Sequence, residues 1–236
     1  CPRTDTVAEA QEVWHRSAFW AYYHAMNFTI LEKPVPEFST PGLPDPRVLS
    51  LWLQDRANPG KPAVGIEEVR ASMGWPNLDL THQSVDSSPM DIPGRHGPVR
   101  VIRTVPLHNA TSGPFPAVIY FHGGGFMGGS TRTVQNPCRY LSERAEAVVF
   151  NVDYRLAPEH PFPVPLDDCH DVVVWVHENA GSLGIDPRRI AVAGDSAGGN
   201  LAAACAVRDS MEGTGRIAAQ LLVYPVVDLR PEDRGH

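Results

Sequence analysis

The chain has 236 residues, 42% hydrophobic and 20% charged, which suits a folded domain with a substantial core and excludes wholesale disorder. A formal net charge of −7 offers no basic surface for a phosphate backbone, so nucleic acid is not expected as a partner. No apolar run approaches the ~20 residues of a membrane span, and no signal peptide is legible, so no membrane span is expected and a cytoplasmic location is favoured.

Residues 7–27 read as a helix whose aromatics, Trp14, Phe19, Trp20 and Tyr23 among them, cover more than one stripe. Pro34, Pro36, Pro41, Pro44 and Pro46 predict an extended connector. Asp45 then suits an N-cap with Pro46 behind it, opening a helix towards Ala57, and a shorter helix follows over Ile66–Met73. No chemistry is legible in residues 1–78, which read as a helical cap or lid segment; residues 79–236 read as the core domain. There Thr81–Val85 and Val99–Val105 are β-rich, and Ala117–Phe121 is a short apolar run typical of a strand buried on both faces. A helix over 135–146, a strand over Ala147–Asn151, and a helix over Leu166–Asn179 follow. The remaining elements are a strand over Arg189–Ala193, a helix over Ser196–Arg208 and a strand over Ala219–Tyr224. This alternation predicts an α/β fold, a mostly parallel sheet flanked by helices and joined by right-handed crossovers.

Two motifs carry chemistry. Gly194-Asp195-Ser196-Ala197-Gly198 lies between a predicted strand and a predicted helix, where a tight turn lifts the serine hydroxyl above the sheet at a helix N-terminus. His122-Gly123-Gly124-Gly125-Phe126 follows the strand 117–121. Glycines there let backbone N–H groups approach an oxygen that becomes negative during acyl transfer. A phosphate-binding loop is the rival reading, but neither G-K-[ST] nor the G-x-G-x-x-G spacing is present. His122 is expected to hold this loop rather than act as a base. Cys1, Cys138, Cys169 and Cys205 lack metal-binding spacing, and Cys205 reads as a buried thiol. Neither metal nor organic cofactor is expected.

His122-Gly-Gly-Gly-Phe126, Asp153-Tyr-Arg-Leu-Ala-Pro-Glu-His160 and Gly194-Asp-Ser-Ala-Gly-Gly-Asn200 together resemble the hormone-sensitive-lipase-like esterases, over residues 80–228. The resemblance implies an α/β-hydrolase core, an N-terminal helical cap, and hydrolysis of short- to medium-chain carboxylic esters through an acyl-serine. It implies Ser196 as nucleophile, and Gly123, Gly124, Gly125 and Ala197 as the stretch supplying oxyanion amides. His122 and Asp195 support the motifs, Arg155 and Glu159 hold their turn by charge pairing, and Asp167 and Asp168 are structural.

In this fold a catalytic acid and a histidine follow the serine along the chain. After Ser196 the sequence offers His236 alone among histidines, and Asp209, Glu212, Asp228, Glu232 and Asp233 among carboxylates. Asp228 is the least poor acid candidate, and the resemblance places both groups in a C-terminal segment that this sequence lacks. The expectation is therefore a fragment whose missing part is supplied elsewhere, as a second chain for example. The alternatives are an inactive truncated esterase and a non-catalytic small-molecule receptor on the same fold.

Overall fold

Strands that alternate with amphipathic helices bury both faces of a sheet. A computed structural model describes residues 65–73, 79–81, 85–107 and 114–227. The described elements are α1 (Ile66–Ser72), β1 (Val85–Ile92), β2 (Val99–Pro106), β3 (Phe115–Phe121), α2 (Thr131–Ala145) and β4 (Val148–Asp153). They continue with α3 (Val164–Glu178), α4 (Ala180–Leu183), β5 (Ile185–Asp195), α5 (Ala197–Glu212) and β6 (Ala219–Val223). All belong to one compact unit, Val64–Leu229. The helix expected over 7–27, the proline connector, the helix opening at Asp45, and Asp228, Glu232, Asp233 and His236 lie outside the described residues. No helix among the described residues is long and apolar enough to cross a membrane.

The sheet order is β1-β2-β4-β3-β5-β6. β4, β3, β5 and β6 are mutually parallel, while β2 runs antiparallel to both β1 and β4. β3 lies inside the sheet, and strand periodicity sends its side chains to opposite faces. Ile119 and Phe121 join a core completed by Val172, Val173 and Val176 of α3 and Leu201, Ala202 and Cys205 of α5. Tyr120 points the other way, into a smaller cluster with Val134 and Cys138 of α2. Both faces are thus covered, which is why β3 reads as a continuous apolar run.

Several boundaries move, for physical reasons. Of the strand expected over Thr81–Val85, residues 82–84 lie outside the described residues, and β1 is described from Val85 through Pro89 to Ile92. Among the described strands β1 pairs with β2 alone, and an edge strand tolerates the N–H that proline lacks. α2 starts at Thr131 rather than 135, because Ser130 and Thr133 form a reciprocal cap. β5 reaches back to Ile185, and a register shift opposite Phe115 and Ala117 absorbs Pro187.

Candidate active site

The parallel strands β3, β4 and β5 open their carboxyl ends on one edge of the sheet, where open α/β sheets hold ligands. Three connections leave that edge: 122–130, 154–163 and the single residue Ser196. Ser196 joins β5 directly to α5, with φ 53° and ψ −117°. A non-glycine residue in that region costs about 1–3 kcal/mol and persists only where its surroundings over-determine it. Here its N–H donates to the Val223 carbonyl (2.9 Å) and its own carbonyl accepts from Val226 (3.2 Å) and Asn200 (3.1 Å). A serine at a helix N-cap ordinarily bonds its hydroxyl to an amide of the first turn. Ser196 holds the N-cap position of α5 without that bond, so its hydroxyl is left for other partners.

The turn is pressed against the end of β3. A Cβ on Gly198 would sit 2.0 Å from the Phe121 carbonyl oxygen and 2.6 Å from that of His122. No larger residue fits without parting α5 from the strand. On the other side of the same contact, a Cβ on Gly123 would meet Asp195 Oδ2 at 2.3 Å. The Gly123 N–H donates to Asp195 Oδ1 at 3.1 Å, and the Tyr120 hydroxyl donates to the same oxygen at 3.2 Å. Burial pushes the Tyr120 phenol up, and the Asp195 charge adds to that, so it remains a donor. Asp195, the residue preceding the serine, thus ties the triglycine loop to the end of β5. With its one proton committed to Asp195, Gly123 drops out of the amide set expected from sequence.

His122 is fully buried and its ring stacks on Tyr154 with centroids 4.4 Å apart. The Tyr154 hydroxyl donates to the His122 carbonyl at 2.7 Å. His122 Nδ1 lies 2.9 Å from the Gly123 carbonyl, which can only accept, so Nδ1 carries the proton. Nε2 is buried without a partner among the described residues. Burial lowers the His122 pKa, while the Gly123 carbonyl and the charges of Asp153 and Asp195 oppose the shift. The buried, neutral ring is thus packed between Tyr154 and the first peptide of the loop. Beyond it, the Gly124 carbonyl accepts from Met127 (3.2 Å) and Gly128 (2.9 Å), closing a tight turn. Gly124 (φ 137°) and Gly125 (φ 61°) both need the left-handed backbone that glycine permits, and no described atom lies within 4 Å of a Cβ on Gly125.

Arg155 and Glu159 anchor the turn after β4 by charge pairs and hydrogen bonds to neighbouring elements. Arg155 donates to Asp168 of α3 through both its side chain and its backbone N–H, and Glu159 receives two bonds from Arg70 of α1. Asp167 accepts from His96, Arg95 and Arg208, so both aspartates are structural. Asp209 and Glu212 sit at the other end of α5, bound to Thr214 and Arg216. The sequence reading missed Tyr120 and Arg70. Tyr120 occupies an apolar strand where it passes as core, and Arg70 sits in a segment without any motif.

The family model described as the alpha/beta hydrolase fold matches residues 118–236. Esterase LipI of Mycobacterium tuberculosis is 41% identical over 161 residues, 68% of this chain and 50% of that protein. Carboxylesterase NlhH of the same organism is 50% identical over 110 residues, 47% of this chain and 34% of that one. The solved esterase of Pyrobaculum calidifontis superposes with a TM-score of 0.66 at 40% identity, over 78% of this chain and 59% of that one. The chain spans about half the length of the curated relatives it matches. A sheet-edge serine turn packed on a triglycine loop, and a family match from the middle of β3 onwards, agree: the chain belongs to the alpha/beta hydrolase fold family.

Proposed function

We propose that the full-length protein is a serine carboxylesterase acting on short- to medium-chain carboxylic esters, with Ser196 as its nucleophile. The observation that carries this reading is the strained Ser196 backbone, with a hydroxyl withheld from capping, directly beside a triglycine loop. Similarity to proteins named esterase and carboxylesterase supports the substrate class.

In this mechanism Ser196 Oγ attacks the ester carbonyl carbon while a histidine takes its proton. The carbonyl π electrons move onto oxygen, and the N–H groups of Gly124, Gly125 and Ala197 stabilise the oxyanion. Ala197 is the first residue of α5, so its amide is one of the four without an intrahelical acceptor, and the helix dipole adds to its pull. The intermediate collapses, the histidine returns the proton to the leaving alcohol, and an acyl-serine remains. Water then repeats the sequence and frees the acid. Asp209, committed to Thr214 and Ile217, lies about 20 Å along α5 from Ser196 at 1.5 Å per residue. The acid and the histidine are therefore assigned outside the described residues. The same reading keeps the protein in the cytoplasm, supported by the free, buried thiols of Cys138, Cys169 and Cys205.

The test is hydrolysis of p-nitrophenyl acetate and butyrate by the full-length protein and its Ser196→Ala variant. The variant is expected to lose activity by a factor of about 10⁴ or more, as removal of a serine nucleophile does. Equal rates would end the esterase reading and leave a binding protein on the same fold.

A further inference from the structure

We propose that Arg70 is a positioning residue for the oxyanion loop, its guanidinium bridging that loop to the turn after β4. The inference rests on the esterase reading and adds a residue to it. Arg70 lies in α1, in a segment whose sequence shows no motif, yet besides Glu67 of its own helix its side chain reaches three groups elsewhere in the chain. Nε donates to the Met127 carbonyl at 2.7 Å. Nη2 donates to the Ala157 carbonyl at 3.0 Å. Nη1 and Nη2 donate to the two oxygens of Glu159 at 2.9 and 2.7 Å. The Ala157 N–H in turn donates to the Phe126 carbonyl at 2.9 Å, so the two loops are joined both directly and through the guanidinium.

These contacts bear on the amide hydrogens through peptide planarity. In a trans peptide the carbonyl and the following N–H point in opposite directions within one plane. Holding the Gly124 carbonyl therefore sets the direction of the Gly125 N–H. Met127 and Gly128 hold that carbonyl, and Arg70 holds Met127. Met73, from the end of the same segment, packs so closely on Gly128 that a Cβ there would lie 2.4 Å from its Sδ. The turn is thus pinned at consecutive residues by one short piece of chain. The bidentate bond to Glu159 fixes the guanidinium plane, which a lysine could not do, since its ammonium is a point charge. The Arg70 bond also holds the Glu159 carboxyl down at about 2, so the pair stays ionised at any ordinary assay pH.

A loosened oxyanion amide weakens binding of the transition state more than that of the substrate, so the effect belongs in kcat. The experiment measures ester hydrolysis by the full-length protein with Arg70→Ala, Arg70→Lys and Ser196→Ala. It adds inhibition by an aryl trifluoromethyl ketone, which mimics the tetrahedral intermediate, and rescue by millimolar methylguanidinium. Arg70→Ala is expected to lose about 10-fold in kcat, part of the ~10²–10³ that loss of a whole donor costs. Its KM should stay within about 2-fold, and its inhibition constant should rise in step with the fall in kcat. Methylguanidinium should restore part of the rate in Arg70→Ala and none in wild type. Arg70→Lys should resemble Arg70→Ala, and it serves as the second variant if alanine compromises folding. Wild-type kcat in either variant, or a loss tracked by a lower melting temperature with no change in inhibitor affinity, would overturn the inference while leaving the esterase reading intact. Wild-type rates in Ser196→Ala would remove both.

Discussion

Ser196 carries backbone strain that its neighbours sustain. The bonds to Val223, Val226 and Asn200 hold φ at 53°, where a Cβ is unwelcome. A consequence can be measured without any assay of activity. Ser196→Gly removes the Cβ that makes the conformation costly, whereas Ser196→Ala keeps it. Relief of ~1–3 kcal/mol of strain is offset by the ~0.4–1 kcal/mol by which glycine's freedom favours the unfolded chain. The glycine variant is therefore expected to be about 1 kcal/mol more stable than the alanine variant in urea unfolding. Alanine proving the more stable of the two would show that position 196 is not strained. The motif made this residue legible, because a serine turn is written in five consecutive positions.

Loops bind to elements through charged pairs that local patterns do not reveal. Arg155 leaves the end of β4 and meets Asp168 on α3, whose carboxylate is completely buried. Removing the cation strands a buried charge, and such losses are costly. Arg155→Met is expected to destabilise the protein by about 3–5 kcal/mol, and Arg155→Met with Asp168→Leu by clearly less. Equal costs for the single and double variants would mean that Asp168 is stabilised without Arg155. The sequence placed Arg155 and Glu159 in one motif and suggested that charge pairs and hydrogen bonds hold its turn, without naming the partners. Those partners lie on α3 and α1, because a turn of this length presents its side chains outward to whatever packs beside it. Helix and strand types were legible from periodicity and apolar runs. The course of β1 beyond Val85 was not, since Pro89 argues against a strand until its place at the edge is known.

Across the whole molecule, buried histidines give stability a pH dependence. His122 is held neutral by burial against the opposing pull of Gly123, Asp153 and Asp195. His170 is lowered by burial first, then by Arg208, Arg216 and Arg95, with Glu212 opposing. A histidine lowered in the folded state binds fewer protons there than when unfolded, so stability falls as pH drops below the ordinary value of about 6.5. Carboxylates act lower down. Burial would raise Asp209, but bonds from Thr214, Ile217 and Arg216 outweigh it and bring it below its usual value. Its contribution is present above about pH 4 and is lost as pH falls further. The melting temperature is therefore expected to hold steady from pH 8 to 7, fall from about 6.5 to 5, and fall again below 4. His122→Gln and His170→Gln should flatten the first decline. A wild-type melting temperature unchanged between pH 8 and 5 would contradict the account.

What the sequence determined by itself was local: a strained serine turn between strand and helix, a triglycine loop after a buried strand, and an alternation that demands a sheet covered on both faces. These features are readable because their physics is confined to neighbouring residues. The tertiary structure alone decided the strand order, the commitment of the Gly123 amide to Asp195 across 72 positions, and the reach of Arg70 to Glu159 across 89. Periodicity records which face of an element is apolar, not which element will lie against it. Partners distant in sequence are chosen only when packing the core brings their backbones together.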